Sequence, residues 1–336
     1  MMLGSSSLEG YLRATAQFER YASDFLEGGI FTMSVTRRIF VSMPADQWLS
    51  PKQNELKWGI VEEIKRLGYM PEIFTNPKGM PGLASGKVWS RQEADKVIRK
   101  CIGAAIIGLP RWEFPTSPRG VIKLSSEYCQ YEGAVAYTLG LPMLVVGQED
   151  VLRRVVFDQS YGVYMRFFPK NADRTWLDTE DFRVTFQYWE DELYKRRDVF
   201  LGYSGSSKGT AQNLKRFLEK DLSVTVLDWR TDFSPSRFIL QQIEDAAARC
   251  SAGIFLFTKD DPITNETQAY KAVPRDNVVF EAGYFIHAKG KEHVLIVLEN
   301  GAKMPADLGG DIYAPLDDKS DIEPIEDTVR RFIGGL

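Results

Sequence analysis

Short apolar runs alternate with amphipathic stretches along most of this chain. Residues 39–43 (Ile-Phe-Val-Ser-Met) read as a buried strand. Residues 51–67 read as a helix with Leu56, Ile60, Val61 and Ile64 on one face, and 70–74 as a second strand. A helix over 91–101 leads to a strand over 104–108, and a helix over 124–139 leads to a strand over 143–146. Uniformly apolar strands separated by helices predict a parallel sheet covered on both faces.

The alternation fades after Met165. Residues 176–197 carry Trp176, Phe182, Phe186, Tyr188, Trp189 and Tyr194 among many charges and read as a connecting helix. Acidic residues interleaved with these aromatics favour packing over a base-stacking platform. The pattern then restarts. Strands are expected over 199–203, 224–227, 253–257 and 294–298, with an edge strand over 312–316. Helices are expected over 211–220, 235–249, around Glu281 and over 321–334. At the other end, Leu8, Leu12, Phe18, Ala22, Phe25 and Leu26 form the stripe of an amphipathic helix that stops at Gly28-Gly29. The sequence leaves open whether Met33 is an alternative start, which would remove this helix. The expected organisation is an N-terminal helix (1–36), a first α/β domain (37–175), the connecting helix (176–197) and a second α/β domain (198–336).

The two α/β halves resemble one another. Residues 100–107 (KCIGAAII) align with 249–256 (RCSAGIFL), and Glu132-Gly133-Ala134 aligns with Glu281-Ala282-Gly283. The cysteine-to-glutamate spacing is 31 in both, from 132 − 101 and from 281 − 250. Each glutamate helix runs to a glycine, Gly140 or Gly290, before the next strand. This internal similarity predicts a structural repeat.

Composition narrows the chemistry. The formal net charge of −4 gives no basic field for nucleic acid. Three cysteines build no disulfide framework and fit a reducing, cytoplasmic setting. With two histidines and no zinc-type spacing, neither a metal centre nor a Ser-His-Asp triad is expected. No apolar run is long enough to span a membrane. Catalysis must then rest on carboxylates, hydroxyls and backbone groups.

Glu281 is the leading candidate. It lies in an apolar helical run with Val278, Val279, Ala282, Phe285 and Ile286, with Asp276 and Asn277 available as N-cap. A carboxylate on such a face is costly unless it has a partner or a task. Ligands of parallel α/β sheets bind beyond the carboxyl ends of the strands, and three further segments should meet Glu281 there. Tyr203-Ser204-Gly205-Ser206 offers a phosphate-approach loop or an ordinary tight turn. Trp229 at a strand end can stack on a ring or cap the core. Asp260 and Asp261 can accept from ribose hydroxyls, bind a cation, or cap a turn. A single carboxylate in a partly apolar pocket suits glycosidic chemistry with a cationic leaving group, which departs neutral without a general acid.

The residues Phe257-Thr258-Lys259-Asp260-Asp261, Arg275 to Phe285 (RDNVVFEAGYF) and Met304-Pro305-Ala306-Asp307-Leu308 carry a resemblance. With Phe217-Leu218-Glu219-Lys220, they make residues 198–317 similar to the bacterial TIR-like nucleotide-binding domain of effectors in cyclic-nucleotide-signalling antiphage systems. The resemblance implies a flavodoxin-like fold, a homo-oligomer, and cleavage of NAD+ to nicotinamide and an ADP-ribose product. NAD+ would be substrate, with no further cofactor. The family's catalytic glutamate falls on Glu281, and Arg275 and Asn277 lie in the same motif. The family's first-strand loop falls on Tyr203 to Ser206. That loop departs from the His-Gly-His-Asp-like form of many members, having Gly202-Tyr203-Ser204-Gly205 instead. This leaves loop contacts and the linear or cyclic product open.

The first domain, with Ser126 to Glu132, loosely resembles TIR or nucleoside-deoxyribosyltransferase-like folds. It is expected to sense a nucleotide-derived activator or to drive assembly. Glu132 as a second catalytic site, in a nucleoside N-glycosidase or transferase, is the alternative there. A non-catalytic nucleotide-binding scaffold is the alternative for the whole chain.

Overall fold

The computed structural model describes residues 35–74, 82–116, 120–161, 164–263, 272–308 and 313–336. The amphipathic stripe of residues 8–27, Met33 and Ile312 lie outside the described residues. Two compact units emerge, one built mainly from Arg37–Tyr137 and Pro142–Trp189, the other mainly from Glu190–Leu336. Among the described residues no helix is long and apolar enough to cross a membrane.

The first unit contains β1 (Arg38–Ser42), α1 (Pro51–Arg66), β2 (Met70–Glu72), α2 (Arg91–Arg99) and β3 (Gly103–Gly108). An antiparallel hairpin follows, β4 (Trp112–Thr116) with β5 (Gly120–Leu124), then α3 (Glu127–Thr138), β6 (Met143–Gln148) and β7 (Tyr164–Phe168). The main sheet is parallel, in the order β2-β1-β3-β6-β7. Helix α1 begins where the sequence says it should. Ser50 and Gln53 form a reciprocal capping box, and Pro51 occupies the first turn.

The hairpin is absent from the sequence reading. None of its ten strand residues is buried, so no continuous apolar run marks them. Strand β7 was also hidden, because three of its five residues are only half-buried.

Helix α4 (Glu180–Tyr194) is shorter at both ends than the 176–197 expected. The aromatics of the helix and of the turn before it pack in series: Trp176 against Phe182, Phe182 against Phe186, and Phe186 against Trp189, with centroids 5.2–5.4 Å apart. The Trp189 indole N–H donates to the Pro142 carbonyl at 3.0 Å.

The second unit contains β8 (Arg197–Gly202), α5 (Lys208–Lys220), β9 (Val226–Asp228), the single turn α6 (Trp229–Asp232) and α7 (Ile239–Arg249). It continues with β10 (Cys250–Phe257), a two-stranded ribbon of β11 (Asp261–Pro262) and β12 (Ala272–Val273), and α8 (Asp276–Lys289). It ends with β13 (Val294–Glu299), β14 (Tyr313–Leu316) and α9 (Glu323–Gly334). Helix α5 starts three residues before the expected 211, and α7 four residues after the expected 235. The sheet is parallel, in the order β14-β13-β10-β8-β9.

Numbered within each unit, the sheet strands run second-first-third-fourth-fifth in both. This is the flavodoxin-like order, and its switch point lies between the first and third strands. The chain therefore carries two flavodoxin-like domains in tandem. The switch points are β1/β3 and β8/β10, and both glutamate helices, α3 and α8, follow the third strand.

Below the second switch point lies an aromatic core. Phe200 and Phe285 stack at 5.0 Å, and Phe255 meets Phe285 edge-on at 5.3 Å. All three are fully buried, each worth roughly 2–3 kcal/mol relative to exposure. The Phe255 ring takes the room beside Gly202 and Gly253, where an added Cβ would meet it at 2.4 and 2.6 Å.

Candidate active site

Helix α8 buries Val278, Glu281, Ala282 and Phe285, a stripe of three- and four-residue steps. Glu281 is thus carried against the sheet with the apolar residues, and only 8% of it remains exposed. Arg275, not Asp276 or Asn277, is the N-cap residue, and no side chain caps this helix. Asp276 is already helical and Asn277 follows it, so neither has the extended backbone that a cap requires.

The Glu281 Oε2 atom is buried and has no hydrogen-bond partner. Burial alone pushes its carboxyl group up to about 8. Gly202, the last residue of β8, lies beside it. A Cβ at position 202 would sit 2.9 Å from Oε2, so the carboxylate uses space left by the missing side chain. The glutamate therefore stands at the carboxyl end of β8, by the switch point.

Two loops follow β8 and β10, and Asp260 ties them together. Its Oδ1 accepts from Ser204 Oγ at 2.7 Å, from Thr258 Oγ1 at 3.0 Å and from Ser206 Oγ. Its Oδ2 accepts from the Arg275 backbone N–H at 3.0 Å. Burial pushes this carboxyl group up, but the hydrogen bonds from Ser206, Ser204, Arg275 and Thr258 outweigh it, and the net direction is down. Asp260 is an ionised brace with its oxygens occupied. Asp261 pairs with the Arg275 guanidinium at 3.1 Å.

Tyr203 and Trp229 belong to a separate cluster. The Tyr203 hydroxyl donates to Asp228 Oδ1 at 2.8 Å, and the Trp229 indole N–H donates to the Tyr203 carbonyl at 3.0 Å. Burial and the neighbouring Asp228 carboxylate push the phenol well up. Tyr203 is packed in the core. Gly205 and Asn277 are exposed, and Asn277 makes no side-chain hydrogen bond among the described residues.

The structure thus joins Ser204, Ser206, Asp260, Asp261 and Arg275 in one network and Tyr203 with Trp229 in another. Glu281 is bonded to neither. Sequence reasoning missed Gly202, whose role is to have no side chain. It also missed Glu299 at the end of β13, which accepts from the Lys259 N–H at 2.7 Å and pairs with Lys259 and Lys319. Among the described residues no three His, Cys, Asp or Glu side chains converge as a metal site.

Glu132 occupies the matching place in the first unit but in a different state. Ser42 Oγ donates to its Oε2, and the Trp89 indole N–H donates to its Oε1 at 2.7 Å. Burial raises this group to about 7, against the lowering effect of both donors. Ser42 ends β1 opposite Ile106, as Gly202 ends β8 opposite Phe255. The cysteine-to-glutamate spacing puts Ile106 and Phe255 in register, since 106 − 101 and 255 − 250 are equal. Ser42 and Gly202 are therefore equivalent positions: the Ser42 hydroxyl satisfies Glu132 Oε2, whereas Gly202 offers Glu281 Oε2 no donor. Cys101 and Cys250 are buried at matching junctions, and burial raises both thiols, Cys250 to about 12.

Comparison with known proteins places the second unit. The family described as CAP12/Pycsar effector protein, TIR domain, matches residues 198–318. The second unit is a TIR-like domain.

The relatives carry effector names. CD-NTase-associated protein 12 of a Lachnospiraceae bacterium is 29% identical over 113 residues, 33% of this chain and 35% of that protein. The protein of the same name from Niabella drilacis is 32% identical over 130 residues, 37% of this chain and 41% of that protein. Pycsar effector protein BcPycTIR of Burkholderia cepacia is 30% identical over 146 residues, 41% of this chain and 48% of that protein. The chain spans less than half the length of each of these relatives.

Proposed function

We propose that the second unit cleaves the nicotinamide–ribose bond of NAD+, with Glu281 as the catalytic carboxylate. One observation carries the reading: a buried carboxylate oxygen without a partner, at the switch point of a flavodoxin-like sheet. Such an oxygen is costly unless a ligand completes it.

In this mechanism the ribose hydroxyls of NAD+ donate to Glu281, and the cationic nicotinamide ring favours its ionised form. The carboxylate stabilises the oxocarbenium character that develops as the C–N bond breaks. The bonding pair leaves with nicotinamide, which departs neutral. Water then adds at the sugar carbon and loses a proton. NAD+ and water become nicotinamide, ADP-ribose and a proton; attack by an internal nucleophile instead would give a cyclic product. The Ser204–Ser206–Asp260 network holds the loop beyond β8 in shape for the phosphates.

The effector names of the relatives support a role in antiphage defence. On this reading the first unit is the input side. It takes a nucleotide-derived ligand or promotes oligomerisation, and Glu281 acts once that has happened. Glu132 has donors on both oxygens, which counts against a second cleavage site there.

The test is nicotinamide release from NAD+ by the full chain, comparing Glu281→Gln with Glu132→Gln. Loss in the first and retention in the second is expected. Undiminished release in Glu281→Gln removes the proposal.

A further inference from the structure

The first unit carries an unused guanidinium at its own switch point. Trp48 lies just beyond β1 and Arg111 just beyond β3, the two strands that flank the crossover. The Arg111 guanidinium lies 3.7 Å from the centroid of the Trp48 ring and 4.4 Å from that of Trp112. Its backbone N–H is spent on the Leu124 carbonyl at 2.8 Å. Its side chain makes no hydrogen bond or ion pair among the described residues. Five N–H donors are thus held by ring faces and left without an acceptor.

The surroundings are aromatic and open. Trp48, Trp112 and Tyr128 are 51%, 43% and 48% exposed, a large apolar area to leave in water. Tyr128 meets Trp89 edge-on at 4.6 Å, so the aromatic rim continues to the side chain that holds Glu132. Glu127 is the carboxylate facing Arg111. It accepts from the Trp112 indole N–H at 3.1 Å, and a backbone hydrogen bond, Trp112 and the Arg111 charge keep it ionised despite its partial burial. Beside a phosphate it opposes binding. Beside a ribose it is an acceptor for hydroxyls.

We propose that this edge of the first unit binds a phosphorylated nucleoside: phosphate on Arg111, ribose hydroxyls on Glu127, and base on the exposed indole and phenol faces. Stacked arginine and tryptophan suit a ligand that is planar at one end and anionic at the other. Binding here proceeds without glycosidic cleavage, because Ser42 and Trp89 occupy the Glu132 oxygens. The proposal rests on the reading of the first unit as the input side only for what binding achieves. The site itself stands on the geometry of Arg111.

The experiment is calorimetric titration of the full chain with AMP, GMP, CMP and UMP, with the matching nucleosides, and with inorganic phosphate. At least one monophosphate is expected to bind, with its nucleoside binding about 10- to 100-fold more weakly. Arg111→Ala is expected to weaken the nucleotide by the same factor and to leave the nucleoside unchanged. Arg111→Lys keeps the charge without the planar fork and should fall between, which also serves if Arg111→Ala folds poorly. Asp260→Ala, in the second unit, should leave this binding unaltered.

Three results overturn the proposal: no monophosphate bound at about 1 mM, equal loss of nucleotide and nucleoside in Arg111→Ala, or binding abolished by Asp260→Ala and kept in Arg111→Ala. Nicotinamide release measured in parallel keeps the two proposals apart, since Arg111 can fail as a ligand site while Glu281 still cleaves NAD+.

Discussion

Glu281→Gln should make the protein more stable above about pH 4.5, and increasingly so up to about pH 8. The wild-type carboxyl titrates near 8 in the folded chain against an ordinary 4.5, with burial as the cause. The folded state therefore holds the proton more tightly than the unfolded state. That contribution is fully present below the ordinary value of 4.5 and is lost as the pH rises through about 8. Full linkage over that interval amounts to about 5 kcal/mol. Water entry and local relaxation reduce it, so about 2–5 kcal/mol is the expected range.

Glutamine keeps the size and cannot ionise. The variant should match the wild type at pH 4.5 and melt higher at pH 8.5, by roughly 2–4 °C per kcal/mol for a domain of this size. The assay is thermal unfolding of both proteins across that pH range. Glu132 also titrates high, to about 7, but it is present in both proteins and drops out of the difference. A pH-independent difference, or a variant less stable at pH 8.5, would refute the account of an orphaned carboxylate. The result does not depend on activity, because no turnover is measured.

Other outcomes follow from the same geometry. If the ionised form of Glu281 is the active one, kcat/KM for nicotinamide release rises about tenfold per pH unit and levels off near 8; a flat or falling profile contradicts this. Gly202→Ala brings a Cβ against Phe255 and Glu281 Oε2, so it should cost about 1–3 kcal/mol in urea unfolding and abolish release. Ser42→Ala leaves Glu132 Oε2 without its donor and should destabilise the first unit by about 1–3 kcal/mol, with release by the second unit retained once activated.

Much of the architecture was legible in the sequence. Buried parallel strands are continuous apolar runs, so β3, β6, β10 and β13 announced themselves. The repeat was visible because the same junction cysteine and helix glutamate recur at the same spacing. Glu281 stood out because a carboxylate on a buried stripe breaks the pattern of its helix. The hairpin after β3 left no trace, since a two-stranded ribbon with no buried residue has no continuous apolar run.

The role of Asp260 was also hidden. Whether an aspartate after a strand meets a ligand or braces a loop depends on which hydroxyls reach it, here Ser204, Ser206 and Thr258. The difference at the Oε2 atoms of Glu132 and Glu281 lies in residues 90 and 79 positions away, Ser42 and Gly202, and sheet register brings them beside the carboxylates.

The shared strand order of the two units bears on how such a chain can diversify. A repeated fold gives each unit a switch point at the same place in its sheet, so neither needs a new scaffold to acquire a new task. What separates them is a small set of edge residues: a serine or a glycine at one strand end, indoles or hydroxyls on the neighbouring loops. Substitutions on the exposed loops leave the buried strands untouched, whereas those at Ser42 or Gly202 cost about 1–3 kcal/mol. Ligand preference in one copy can thus drift while the other keeps its own.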